Sequence, residues 1–444
     1  MDSNQSKVAP KPLLSVSDGI ILICGMVIGA GIFKAPSIVA GNTSSGAEFL
    51  GAWVLGGVIS LFGALVYAEL ATRHPDTGGE YAFLSRGMGR GVAFVFAWSR
   101  MTVIQTGAIA AVAFVFGDYA SEILRLGDKS SAIYAAIGVV ALTALNVAGT
   151  LQSKGLQKVM QILLFAGLVF LVVAGFMAGA PAKPAAAATG GSFGLAMIFV
   201  LLTFGGWNEA AYLSGEVRDA RRNMIRILLF GILTVTVIYL VVNVAYLTAL
   251  GLDGMKQSKA VAADVTRLVL GDKGAVLIAL IVCLAALTTM NAAIFTGART
   301  TYALGRDFAF FGKLGAWREA GSTPANALLV QGAITLALVV ASAVTPDGFS
   351  AMVAYTSPVF WTFFLLTAVT LFIFRRHGSE APFRVPLYPV IPIAFCIACV
   401  YMLYSSINYV RFAVEFGIAV FAGLVIMALG IPLYFIATRR PMSS

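Results

Sequence analysis

Stretches of about twenty predominantly apolar residues recur along the whole chain, and that is the length an α-helix needs to cross the hydrocarbon core of a bilayer. Twelve are legible: 18–41, 49–72, 91–120, 130–149, 157–179, 193–215, 225–250, 274–304, 325–344, 350–374, 387–407 and 413–437. The third and eighth are long, which predicts tilt or extra turns beyond the membrane. Composition excludes the soluble alternative. Of 444 residues, 59% are hydrophobic and 11% charged, and the mean hydropathy is +0.90. Soluble domains run near 45–50% apolar and about 25% charged. The expected fold class is an all-α polytopic membrane protein.

The net charge of +10 would suggest nucleic acid in a soluble chain. In a membrane chain it reflects the surplus of Lys and Arg in cytoplasmic loops. With the N-terminus inside, 20 of the 30 cations fall on the inner side, among them Arg73, Arg86, Arg222, Arg306 and Arg375. Nine, including Lys34, Lys259 and Arg267, fall outside, and Arg100 lies within a span. This asymmetry predicts both termini in the cytoplasm. The tails are 1–17 and 438–444. No cleavable signal peptide is expected, since Met1–Ser17 is polar and the first apolar run is too long for one. The four cysteines, Cys24, Cys283, Cys396 and Cys399, lie inside apolar runs, so no disulfide framework is expected. His74 and His377 sit in separate polar loops, and no metal site or cofactor is expected. No nucleotide-binding loop appears. Pro181–Gly191 reads as a loose external linker, and Lys256–Asp272, with Val261, Val265, Leu268 and Val269, as an amphipathic external helix capping the core.

Two spans are interrupted. The first contains Gly25-Met-Val-Ile-Gly29-Ala30-Gly31-Ile-Phe33-Lys-Ala-Pro36, and the sixth Leu202-Thr203-Phe204-Gly205-Gly206-Trp207-Asn208-Glu209. Glycine weakens a helix, and Pro36 lacks a backbone donor. Non-helical backbone at membrane depth is tolerated where it is buried in protein or lines a cavity. Either break alone has a packing explanation, since Gly25 and Gly29 form a G-x-x-x-G helix-contact motif. The two breaks, however, occupy corresponding places in two five-span units, 18–179 and 193–374, with 387–437 left as two extra helices. Matched breaks point to a transporter binding site. A broken helix offers unpaired N–H groups that suit a carboxylate and carbonyls that suit an ammonium. A zwitterionic amino acid needs both.

These residues resemble the amino acid–polyamine–organocation superfamily, and are most similar to bacterial relatives of its L-type amino acid transporter branch. The matching motifs are Gly29-Ala30-Gly31-Ile32-Phe33, Tyr67-Ala-Glu69-Leu with Gly78-Gly79-Glu80-Tyr81, Phe204-Gly-Gly-Trp207-Asn208, Glu216-Val-Arg218-Asp, and Asn291…Arg299…Gly305-Arg306-Asp307. The resemblance covers essentially all twelve spans. It implies a LeuT-type 5+5 inverted repeat, alternating access, and a location in the plasma (cytoplasmic) membrane. It further implies that the N–H groups of Ala30 and Gly31 hold the substrate carboxylate. The carbonyls of Val27, Leu202, Thr203 and Gly205 would hold the amino group. Phe204, Trp207 and Asn208 would shape the pocket, with Tyr355 and Ser357 as further lining candidates.

Two departures from the family pattern matter. Leu202 stands where relatives carry an aromatic gate, leaving Phe199, Phe204 or Trp207 to supply a lid. Gly167 aligns with a fifth-span lysine that many relatives pack against the first break. Thr288 and Thr289, with carbonyls of Met26 and Gly29, would line a sodium site or simply pack. Ionisable residues inside spans are functional candidates. Arg100 reads either as a snorkelling cation or as an inner-gate partner of Glu69 or Glu216. Glu209 would titrate during transport if burial raised its pKa, or else sit in a vestibule beside a cation.

The function expected is secondary transport or exchange of an amino acid of neutral type. A membrane-embedded enzyme would need clustered catalytic groups. A carrier of polyamines, organic cations or inorganic ions on the same fold is the alternative, but a polyamine would call for several acidic pocket groups and only Glu209 is evident. A proton or sodium ion is the candidate coupling partner. No disulfide-linked heavy subunit is expected, because Asp118–Ser130 lacks cysteine.

Overall fold

The computed structural model describes residues 15–74, 79–149, 154–179, 191–208, 217, 219–318, 323–378, 381–412 and 416–438. These are helical throughout, apart from short connections and one isolated antiparallel pairing of Arg318 with Thr323. Among the described residues, ten helices are long and apolar enough to cross a membrane. The two shorter apolar helices, Val16–Val27 and Phe193–Thr203, are the leading halves of the first and sixth spans.

Helix ends are set by local chemistry. Ser15 and Asp18 close a capping box on Val16–Val27, Ser45 caps Gly46–Arg73, and Asp347 caps Gly348–Arg376. Such caps satisfy amide groups that a helix start leaves without partners. The first span stops at Val27 and resumes as a short 3-10 turn, Ala30–Phe33, then as Ala35–Gly41 with Pro36 in its first turn. Proline suits that place, where its missing N–H is not needed. In the sixth span Phe193–Thr203 ends in a turn at Phe204–Gly206. Seven and eight run longer than read from sequence. Ala220–Gln257 and Val261–Asp307 each contain a kink, at Gly251 and Gly271. The stretch read as an external capping helix is helical from Val261. Val261 and Val265 face the core, but Leu268 is 58% exposed, so its apolar face is narrower than the sequence suggested. The linker 181–190 lies outside the described residues.

The third span is Arg90–Ser99 and Gln105–Ile123 joined by a π-helical turn, Arg100–Ile104. The Tyr355 hydroxyl donates to the Thr102 carbonyl within that turn (2.9 Å). π-Helical turns concentrate at functional positions.

The bundle has two polar ends. At the Glu69 end, Glu69 is fully buried and accepts from Arg73 (2.7 Å), twice from Arg375 (2.8 and 2.5 Å) and from the Val385 amide (2.7 Å). This ties span two to span ten and the connection that follows it. The Lys34 end is held by a second buried ion cluster, described below. Between the two ends, a chain of aromatic rings fills the core around Trp207 and Phe364 (5.3 Å between centroids).

Candidate functional site

The two breaks meet. A Cβ built on Gly31 would lie 3.3 Å from Thr203 Cγ2, and one built on Gly206 would lie 2.5 Å from the Met26 carbonyl oxygen. Gly206 also has φ +109°, a backbone conformation that side-chain-bearing residues rarely adopt. Glycine at both places lets the broken segments approach within backbone contact.

One side chain that no sequence motif singles out joins them. The Tyr239 hydroxyl, fully buried on span seven, lies 3.0 Å from the Val27 carbonyl and 3.0 Å from the Thr203 carbonyl. Both carbonyls were expected to face the ammonium of a substrate. Nothing in an apolar run marks one of 14 tyrosines; only the packing of span seven across both breaks does. Two more tyrosines brace the resumed first span. Tyr119 donates to the Phe33 carbonyl (2.7 Å), and Tyr246 to that of Ile32 (3.4 Å).

The other expected groups fall out as follows. Gly29 precedes the 3-10 turn without any side-chain cap, so the amides of Ala30 and Gly31 open a helical turn where intrahelical acceptors are absent. The Leu202 carbonyl accepts from the Gly205 amide (3.0 Å). Met26 and Leu202 are each 37% exposed, whereas Ile28, Ile32, Phe33 and Phe199 are at most 2% exposed. The breaks are therefore sealed toward the Lys34 end. Asn208 is half-buried, and Glu209 and Glu216 lie outside the described residues.

Phe204 and Trp207 are taken up by packing. Phe204 packs between Trp53 (6.2 Å, tilted) and Tyr239 (5.0 Å, edge to face), and Trp207 lies against Tyr67 (5.3 Å) and Phe395 (5.9 Å). Phe199 lies against Phe349 on the Lys34 side (5.9 Å). Tyr355 is committed to Thr102, and Ser357 bonds Ser406 (2.9 Å).

One sequence reading is corrected, and two others are placed in the packing. Arg100 pairs with Glu80 (3.2 Å), not with Glu69, which is saturated by Arg73 and Arg375. Glu80 also accepts from the Tyr67 hydroxyl (2.9 Å). Gly167 packs on span eight, where its Cβ would lie 2.5 Å from Ile281. Gln161 of the same span stands beside the first span, its Nε2 2.8 Å from a Cβ built on Gly25. Six residues separate Gln161 from Gly167, a rotation of about 240° around a helix, so the two occupy different faces. The Thr288 and Thr289 hydroxyls donate to carbonyls of their own helix, Leu284 (2.8 Å) and Ala285 (3.0 Å), as simple packing would have them. Thr289 does stand beside Gly29, 3.5 Å from a Cβ built there.

Comparison with known proteins gives concordant matches. The amino acid permease family model matches residues 14–431. The b(0,+)-type amino acid transporter 1 of Mus musculus is 29% identical over 403 residues, 88% of this chain and 81% of that protein. A serine/threonine exchanger of Bacillus subtilis (strain 168) is 26% identical, covering 96% of both chains. The human cystine/glutamate transporter is 26% identical, covering 97% of this chain and 86% of its own.

Proposed function

Since the chain belongs to the amino acid permease family, on the L-type branch of its superfamily, we propose that it exchanges neutral amino acids across the membrane by alternating access. It is a transporter of amino acids, not an enzyme. The finer assignment of substrate and cycle is our own reading.

The observation that carries it is the meeting of the two breaks. Gly31 packs against Thr203 and Gly206 against the Met26 carbonyl, and Tyr239 joins the carbonyls of Val27 and Thr203. Residues 25–33 and 199–208 contain no Asp, Glu, Lys or Arg. A substrate with one carboxylate and one ammonium then finds both partners in backbone groups. A charged side chain would find no counter-ion among those residues. This favours a neutral amino acid over a polyamine, which lacks the carboxylate and needs acidic partners. The similarity to a serine/threonine exchanger of Bacillus subtilis supports exchange.

In this reading 18–179 and 193–374 are the two inverted halves, and the Lys34 end faces outward by the charge asymmetry of the loops. The protein resides in the plasma membrane with both termini inside. The conformation described is closed outward. Ile32, Phe33 and Phe199, on the Lys34 side of the breaks, are fully buried.

The test is uptake of labelled amino acids into proteoliposomes. Neutral amino acids inside should accelerate uptake of neutral amino acids from outside. Failure to take up any amino acid, from a mixture of all common ones, overturns the proposal.

A further inference from the structure

Lys34 follows the 3-10 turn of the first break and its side chain is 5% exposed. Its ammonium is 2.7 Å from Asp118 Oδ2 and 3.1 Å from Asp347 Oδ1. It also donates to the Lys259 carbonyl (3.4 Å). One side chain thereby gathers the first span, the end of the third, the segment between seven and eight, and the start of the tenth.

The carboxylates are held in place from the far side. The Ser131 hydroxyl donates to Asp118 (2.6 Å). Asp347 accepts from the Ser350 amide (2.9 Å) as the cap of span ten. Burial alone would raise the Asp347 carboxyl, but the Lys34 ammonium and the Ser350 donors hold it below its ordinary value. A cavity of about 380 Å³ opens at this end of the bundle and reaches down to Asp118 and Asp347. Beneath the ion pairs lie Ile32, Phe33 and Phe199, all fully buried. The cluster is thus the floor between that cavity and the two breaks.

We propose that Lys34 is a positioning residue of the transport cycle, its ammonium locking the first span to the third and tenth and parting from Asp118 and Asp347 each time this end opens. The proposal rests on the transport reading above. Its physical basis is the cost of a buried charge left without its partner, which disfavours any arrangement that separates the pair before water enters. The cavity borders both carboxylates, whose side chains are 12% and 31% exposed, so opening exchanges the ion pairs for hydration rather than for nothing.

The experiment measures the opening itself. Spin labels are placed at Ala47→Cys and Val344→Cys, both exposed positions at this end, in a chain whose four native cysteines are replaced by alanine. Pulsed electron resonance then gives the distance distribution in lipid without substrate. The parent should show the closed separation. Lys34→Met should add a longer separation, raising the open-to-closed ratio by roughly tenfold, within the usual range for coupling between two conformations. Lys34→Arg should restore the parent distribution. Lys34→Met leaves two carboxylates unpaired and risks misfolding, so the triple variant Lys34→Met/Asp118→Asn/Asp347→Asn is measured beside it. That variant should run as a single species and show the same longer separation. A parent-like distribution in the triple variant overturns the lock. Absence of amino acid uptake would overturn the transport reading instead, and the distances are read independently of it.

Discussion

The Val27 and Thr203 carbonyls, one at each break, share a single donor in the Tyr239 hydroxyl at 3.0 Å. A hydroxyl carries one proton, so it serves one carbonyl at a time and leaves the other free for an ammonium. The two broken spans are therefore coupled through a group that holds the substrate's two carbonyl acceptors in register.

Tyr239→Phe should weaken substrate without unfolding the protein. The ring keeps its contacts with Trp53 (5.6 Å) and Phe204 (5.0 Å). Only a hydrogen bond is lost, about 0.5–1.5 kcal/mol, or roughly a 2- to 10-fold rise in the KM of exchange. Thermal melting of the purified protein should be nearly unchanged. A KM equal to the parent's would show that the hydroxyl only packs.

The contrast between Tyr239 and the glycines shows what a sequence carries and what it does not. Span count and break positions follow from local composition, because hydropathy and helix-breaking residues act within one stretch of chain. Gly29–Gly31 and Gly205–Gly206 were legible for that reason. Tyr239, the Glu80 partner of Arg100 and the true neighbour of Gly167 depend on how helices rotate against one another. Side chains a turn and a half apart on a helix face different neighbours, and three acidic residues near one arginine are equivalent until the helices are packed. The Lys34 cluster was hidden in the same way, since its two carboxylates come from distant spans.

Gly206 tests the close approach of the breaks. Its φ of +109° disfavours any side chain, and a Cβ would press on the Met26 carbonyl oxygen at 2.5 Å. Backbone cannot yield as a flexible side chain would. Gly206→Ala should therefore cost about 1–3 kcal/mol in backbone strain and abolish most exchange, with the loss appearing in binding of labelled amino acid. Gly127→Ala, also at positive φ but with open space around it, separates strain from contact. It should retain exchange.

Glu69 is the anchor of the opposite end. It is fully buried and satisfies Arg73, Arg375 and the Val385 amide together. Glu69→Gln removes the negative charge and leaves two guanidinium groups facing a neutral amide. Breaking a buried pair by removing one partner costs about 3–5 kcal/mol. Thermal unfolding in detergent should shift down strongly, and yield should fall. Glu69→Gln/Arg375→Met should recover part of the loss, because one of the two stranded cations is gone. A double variant as unstable as the single would place the cost in packing rather than charge.

Thr289 decides whether spans one and eight hold a sodium ion or only touch. Its hydroxyl proton is used on the Ala285 carbonyl (3.0 Å), as that of Thr288 is on Leu284 (2.8 Å). Lone pairs remain, but neither residue brings a negative charge, and residues 25–33 supply none either. Packing is the reading these contacts favour. Replacing sodium by choline should then leave exchange unchanged. Thr289→Val, which keeps the shape against Gly29, should change exchange by no more than about threefold, the factor expected from the ~0.6 kcal/mol of an average hydrogen bond between membrane helices. Exchange that falls in choline, and that loses this sensitivity in Thr289→Val, would establish a sodium site there and add an ion to the cycle.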